Sequence, residues 1–382
     1  MQFSYQNPTT IQFGQGQIAT ISELIDKNAK VLLLYGGGSI KRNGVYDQVT
    51  SALQAHDWVE FSGIEPNPTV ETLDKAVTLV KQNSIDFILA VGGGSVIDGA
   101  KYVAAASKYD GQGWDIMTGV HTINDALAMG CILTLPATGS ESNGASVVSK
   151  KASNEKLAFV SPLVYPQFAV LDPDTMKTLP SRQLANGLAD AWVHVCEQYL
   201  TYPVNAMVQD GYAETLLRNI LQLAQQFQQQ DDSWRANFMW TANQALSGLI
   251  GAGVPQDWAT HMMGHELTAL YGVDHARSLA IVQPHLLRHQ LEYKSEKLAQ
   301  MGRNVFHLEA GEDLAERTVT AIEQFYQSLE IATQLTDYGS DKQQAVETVL
   351  AQLSKHRLTK LGENKRITLD SAKEILSNAI AG

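Results

Sequence analysis

Two stretches of the chain, LLLYGGGS (32–39) and ILAVGGGS (88–95), repeat one pattern: an apolar run, three glycines and a serine. Apolar runs without alternation belong to strands covered on both faces, the strands of parallel sheets. Glycine loses more backbone freedom on folding than any other residue, so three in succession need a reason. At the carboxyl end of a parallel strand one reason is a tight turn into the next helix. Another is a ligand, whose phosphate oxygens approach the bare backbone while the amides opening that helix bind the anion; two such turns in one sheet favour the ligand. The second stretch runs on through VIDGAK into a helical pattern, which suits the pyrophosphate of a dinucleotide. Neither stretch is a standard fingerprint. Ile97 stands where the last glycine of G-x-G-x-x-G would be, and no G-K-[ST] follows as in a P-loop.

Strand-like runs occupy 31–35, 86–91, 131–136 and 168–172, and helical patterns fill 40–56, 70–83 and 96–107. This alternation predicts a doubly wound parallel sheet. After LDPDTMKTLP (171–180) the pattern is helix after helix, rich in Leu, Ala and Gln. The expected organisation is an α/β dinucleotide-binding domain over 1–180 and an all-helical, metal-binding catalytic domain over 181–382. A chain of 382 residues suits two domains. Its net charge of −12 is unsuited to nucleic acid or an anionic membrane surface. No apolar run reaches the length of a membrane span and the N-terminus lacks signal-peptide character. Two cysteines exclude a disulfide framework and point to a reducing cytoplasm.

The first turn, YGGGSIKRNG (35–44), holds no carboxylate for a ribose 2′-hydroxyl. It offers Ser39, the amides of Gly37 and Gly38, and then Lys41 and Arg42. An extra phosphate suits that set, so NADPH is expected over NADH. The helical half places Asp190 and His194 four apart, His261 and His265 four apart, and then His275. Such pairs lie on one helix face, and a carboxylate with several imidazoles suits a divalent ion of the zinc, iron, cobalt or nickel kind. HMMGH has zincin spacing, but Met262 replaces the general-base Glu, which argues against a protease. His285 and His289 read as helix-surface residues, and His56, His121, His307 and His356 stand alone.

With PTTIQFGQGQI (8–18), EPNPT (65–69), VGGGSVIDGAK (91–101), TLPATGSESNG (134–144), LDP (171–173), GLADAWVH (187–194) and HMMGHELTALYGVDHA (261–276), the chain resembles the iron-containing, group III alcohol dehydrogenases. It is most similar to their NADPH-dependent aldehyde reductase and butanol dehydrogenase branch. The resemblance implies a dehydroquinate synthase-like architecture and one divalent ion, Fe2+ or Zn2+, on Asp190, His194, His261 and His275. His265 would stand close to the metal without ligating it, as one route for the proton. Cofactor contacts are implied at Gly36, Gly37, Gly38, Ser39, Asn67, Gly93, Gly94, Ser95, Asp98, Thr134, Thr138 and Lys156. Asp98 is a candidate for orienting the nicotinamide or its ribose. Family members that prefer NAD tend to carry Asp where Gly37 stands. A homodimer paired through N-terminal strands is also implied. The expected reaction is hydride transfer between NADP(H) and short- to medium-chain aldehydes or alcohols, with Asn143, Met239, Trp258 and Met262 as candidate pocket walls. Three alternatives stand beside it: a dehydroquinate synthase-like lyase, an NADH-preferring alcohol or glycerol dehydrogenase of the same superfamily, and a non-catalytic sensor. The lyase would need a basic clamp, whereas Arg277 is the main basic residue near the metal helices.

Overall fold

Val31, Leu32, Leu33 and Leu34 are fully buried, as are Ile88, Leu89, Ala90 and Val91, so neither run keeps a face for water. In the computed structural model, which describes residues 2–338 and 342–380, both runs are inner strands of one sheet. The first eight strands are β1 (Thr10–Phe13), β2 (Lys30–Tyr35), β3 (Asp57–Phe61), β4 (Phe87–Gly93), β5 (Ala128–Leu135), β6 (Ala145–Lys150), β7 (Glu155–Val160) and β8 (Phe168–Leu171). Six of them form a wholly parallel sheet in the order β1-β8-β5-β4-β2-β3, while β6 and β7 form a separate antiparallel hairpin. Helices α1 (Val45–Ala52), α2 (Val70–Asn83) and α3 (Gly94–Ala106) supply crossovers.

Strand β2 has β3 on one side and β4 on the other, so the winding reverses there. Ligands of open α/β sheets sit outside the strand ends at such a reversal. The two glycine turns leave β2 and β4, which places them at that point. Full burial contributes about 1.5–3 kcal/mol for each large apolar side chain, so the long central runs dominate the stability of this sheet.

Three features of this half differ from the sequence reading. β1 and β3 are half-exposed edge strands, without the continuous apolar character of the inner ones. The helical pattern over 40–56 is interrupted: Gly44 is left-handed at φ +80° and α1 starts after it. The β6–β7 hairpin was not foreseen.

The rest of the chain contributes α4 (Ser181–Tyr199), α5 (Met207–Gln225), α6 (Asp232–Ala245), α7 (Ala259–Tyr271), α8 (His275–His289), α9 (Leu291–Asn304), α10 (Leu314–Ser328), α11 (Lys342–Lys355) and α12 (Leu369–Ile380). Two-residue strands β9 (Lys360–Leu361) and β10 (Ile367–Thr368) form a small hairpin, an exception to the all-helical expectation.

The chain divides into two compact units. One comprises Gln6–Pro180 and Gln230–Asn243; the other comprises Ser181–Gln229 and the chain from Gln244, with the segment up to Tyr5. Residues 230–243, expected in the helical half, therefore lie with the α/β unit. Asn243 Nδ2 donates to Glu141 Oε1 (2.8 Å) and Ser142 Oγ (2.9 Å), and Trp240 meets Phe13 edge-on with centroids 5.7 Å apart. Among the described residues, no helix is long and apolar enough to cross a membrane.

Candidate functional site

The turn after β2 keeps its backbone bare. Gly38 lies at φ +85°, a left-handed conformation that favours glycine, and a one-turn helix starts at Ser39. Gly36 lies close to Ile64 O, whereas a Cβ on Gly37 would meet nothing within 4 Å. Lys41, read from the sequence as a phosphate partner, is drawn elsewhere. Its Nζ lies 3.5 Å from Glu60 Oε1 and 4.4 Å from the Tyr46 ring centroid. The hydroxyls of Tyr35 and Tyr46 donate to Glu60 Oε2 at 3.1 and 2.7 Å. A carboxylate thus does stand near the first turn, brought in by β3, and three groups already occupy it. Ser39 and Arg42 remain exposed.

At the second turn, a Cβ on Gly94 would fall 2.3 Å from Thr138 Oγ1, so only glycine admits the loop after β5 this closely. Gly93 lies against Leu135 in the same way, and Thr134 is a half-buried residue of β5. Three of the expected cofactor residues meet directly. Asn67 N donates to Ser95 Oγ (3.3 Å), and Lys156 Nζ donates to Asn67 Oδ1 (2.8 Å). Asn67 sits at φ +54°, a conformation Asn tolerates better than most residues and one that costs about 1–3 kcal/mol outside glycine. Asp98 is half-buried and accepts from Ser140 Oγ (2.5 Å) and Val147 N (3.1 Å), so its carboxylate anchors the loop between β5 and β6.

Lys101, passed over in the sequence, anchors the same loop. Its buried Nζ donates to Ser140 Oγ (2.8 Å), Asn143 Oδ1 (3.0 Å) and Ala145 O (2.8 Å). Burial pushes this ammonium down to about 8, against the opposing attraction of Asp98. Asn143, expected in a pocket wall, is therefore a loop anchor, and Met239 is fully buried core.

The expected metal ligands converge. Asp190 and His194 share one face of α4, His261 lies in the first turn of α7, and His275 opens α8. The Nε2 atoms of His194, His261 and His275 lie 3.7, 3.9 and 3.6 Å from Asp190 Oδ1. A tetrahedron with bonds of about 2.1 Å has edges of about 3.4 Å, so the three edges that meet at Asp190 are within about half an ångström of a zinc-like shell. Asp190, His261 and His275 form the tighter set, with donor atoms all within 4.8 Å of one another. Asp190 Oδ1 is buried and accepts no hydrogen bond. A buried carboxylate oxygen left so is costly unless a cation faces it, and the donor set fits a divalent transition ion. His275 is the most open of the four at 24% exposure, against 7% or less for the others, so the set is approached from its side.

The framework behind these donors explains their aim. Asp274, just before His275, accepts from Arg182 Nε and Asn186 Nδ2, both at 2.9 Å, which ties the start of α8 to α4. Glu197 receives Thr260 N at 2.6 Å and hydrogen-bonds His261 Nδ1, which leaves Nε2 as the ring atom facing Asp190. Burial first, and the Asp257 carboxylate second, hold the Glu197 acid well above the usual carboxylate range. Such outer partners fix ring orientation and ligand basicity. Sequence reasoning missed Glu197, although it stands three residues after His194 on the same helix face.

His265 lies beside the set, its ring centroid 5.2 Å from that of His275 and 6.0 Å from that of His261. Trp258 is left-handed at φ +61° and meets the His261 ring edge-on at 5.3 Å. His285, expected on a helix surface, is buried, its Nε2 3.4 Å from Thr333 O, while His289 does reach the surface, where its Nε2 meets the exposed Glu374 Oε2 at 3.1 Å.

Residues 8–173 match the family described as iron-containing alcohol dehydrogenase, and residues 184–380 match the C-terminal part of the Fe-containing alcohol dehydrogenase family. The chain belongs to the iron-containing alcohol dehydrogenase family. It is 49% identical to the NADPH-dependent aldehyde reductase YqhD of Escherichia coli (strain K12), over 99% of both chains. It is 41% identical to the probable NADH-dependent butanol dehydrogenase 1 of Bacillus subtilis (strain 168), over 90% of this chain and 91% of that one. The crystal structure of NADH-dependent butanol dehydrogenase A from Thermotoga maritima superposes with a TM-score of 0.95 at 34% identity, covering 99% of this chain and 98% of that one. Membership removes the lyase alternative.

Proposed function

We propose that this chain is an NADPH-dependent aldehyde reductase and alcohol dehydrogenase for short- to medium-chain substrates, using one Fe2+ or Zn2+ ion. The observation that carries the reading is the convergence of three imidazole nitrogens, each within 3.9 Å, on Asp190 Oδ1. When bound, the metal supplies a Lewis acid for the carbonyl oxygen and the nicotinamide supplies the hydride. The residues of the chain do the rest. Asp190, His194, His261 and His275 hold the ion, and Glu197 orients His261. His265 is placed to hold a proton beside them. Trp258 and half-buried Met262, flanking His261, give this side an apolar wall. In the α/β unit, the amides of Gly94 and Ser95 open α3 toward a pyrophosphate, and Lys156 adds positive charge through Asn67.

The similar proteins include both NADPH- and NADH-dependent enzymes, so the cofactor preference rests on the first turn. Ser39, Arg42 and the bare backbone at Gly37 suit a 2′-phosphate. Elemental analysis of the isolated protein is expected to find about one divalent ion per chain. An NADPH-oxidation screen against aldehydes of increasing length is expected to show turnover with butyraldehyde. That turnover is lost on chelation and restored by the metal. Turnover that survives complete metal removal refutes the reading.

A homodimer belongs to the same reading. β1 is a sheet edge, and exposed Phe3, Tyr5 and Phe13 lie in or just before it. Sedimentation equilibrium is expected to give twice the chain mass of 41.7 kDa. A single-chain mass at micromolar concentration refutes the pairing.

A further inference from the structure

A second group of charges lies behind the metal donors, in the same compact unit. Lys294 of α9, Asp257 just before α7 and Glu363 of the β9–β10 hairpin are all buried. Lys294 Nζ lies 2.7 Å from Asp257 Oδ2 and 3.1 Å from both Glu363 oxygens, and it donates to Leu200 O at 2.6 Å. Asp257, Lys294 and Glu197 line one small cavity of about 10 Å³.

Asp257 links this cluster to the metal donors by two hydrogen bonds. Its Oδ1 accepts from Ala259 N at 2.8 Å, which caps the start of α7, and its own amide donates to Glu197 O at 2.9 Å. Glu197 in turn holds Thr260 N, His261 N and the His261 ring. Every step of this path, from the hairpin through Lys294 and Asp257 to the first turn of α7, is a hydrogen bond or ion pair between buried groups.

Buried ion pairs are weak sources of stability, because the attraction roughly repays the desolvation of the two charges. Their best-attested use is to fix one arrangement among several. Here the arrangement fixed is the entry of α7, which carries His261 one turn in. We propose that Lys294 and Glu363 are positioning residues for the metal centre, acting through Asp257 on the orientation of His261. The C-terminal hairpin then acts on the metal site through Lys294 and Asp257. Lys294 keeps two facing carboxylates together. Without it they face each other with no counter-charge, and Asp257 swings from the Ala259 amide.

The inference rests on the proposed four-residue metal site, which is tested separately: Asp190→Ala is expected to abolish Co2+ binding to the metal-free protein. The test of the inference uses Co2+ itself, with affinity measured by chelator competition and geometry read from the visible absorption bands. Lys294→Met is expected to weaken Co2+ at least tenfold and to shift the bands, with NADPH affinity unchanged. Lys294→Met with Glu363→Gln removes the repulsion along with the ammonium, and is expected to return the affinity to within about threefold of native. Unchanged affinity and bands in Lys294→Met overturn the proposal. An equal loss in the double variant also overturns it, since Lys294 would then serve only general stability. Should Lys294→Met not fold, Lys294→Gln takes its place with the same expected loss, and unchanged Co2+ affinity and bands in that variant overturn the proposal.

Discussion

Replacing His261 with alanine is expected to strip the metal and lower kcat/KM by at least about 10³-fold, equivalent to about 4 kcal/mol of transition-state stabilisation. His261 is one of the three imidazole donors proposed around Asp190, and its ring hydrogen-bonds Glu197. The substitution therefore removes a ligand and strips a buried carboxyl of its ring partner. Loss of an outer-shell partner alone typically costs about 10–100-fold in metal affinity, so loss of the ligand should exceed that range. NADPH binding, followed by fluorescence titration, is expected to stay within about twofold of native, because the proposed nucleotide residues belong to the other compact unit. Metal content by elemental analysis, kcat/KM with butyraldehyde and the titration together check the result. A variant that keeps its metal and its turnover removes His261 from the ligand set.

Gly37→Asp is the second large effect. The position is outside the left-handed region and open around its Cβ site, so the carboxylate enters without strain. It would face a 2′-phosphate as a like charge at short range and a 2′-hydroxyl as a hydrogen-bond acceptor. NADPH is expected to weaken about 100-fold, about 2.7 kcal/mol, while NADH holds or improves. The ratio of kcat/KM for the two cofactors is the measurement, and an unchanged ratio refutes the role given to the turn. Gly38→Asp is the control: at φ +85° it strains the turn and should weaken both cofactors together.

The sheet interior and the grouping of Asp190 with His261 and His275 were legible because each carries a strong local signature. Unbroken apolar runs marked β2, β4, β5 and β8, and helix spacing paired Asp190 with His194 and His261 with His265. The missing pieces were those set by distant neighbours. Asn67 meets Lys156 across 89 positions, and only the family resemblance nominated either of them. Glu60 reaches the first turn by β-sheet pairing, opposite Leu33, and a reading confined to YGGGSIKRNG had no access to it. Periodicity says that α6 has a buried side, but not that Glu141 and Ser142 are what Asn243 meets there. Glu197 and Lys101 were overlooked because single charges in apolar helices look like solvated exceptions. Both are buried, and each holds a functional loop or ring in place.

The proposed metal donors all come from α4, α7 and α8, and the proposed nucleotide contacts all come from the α/β unit. Each half can therefore accept substitutions without rebuilding the other. A change of electron donor requires edits at one strand end and leaves the ion's cage untouched. The similar proteins, one NADPH-dependent and others NADH-dependent by name, are consistent with that independence.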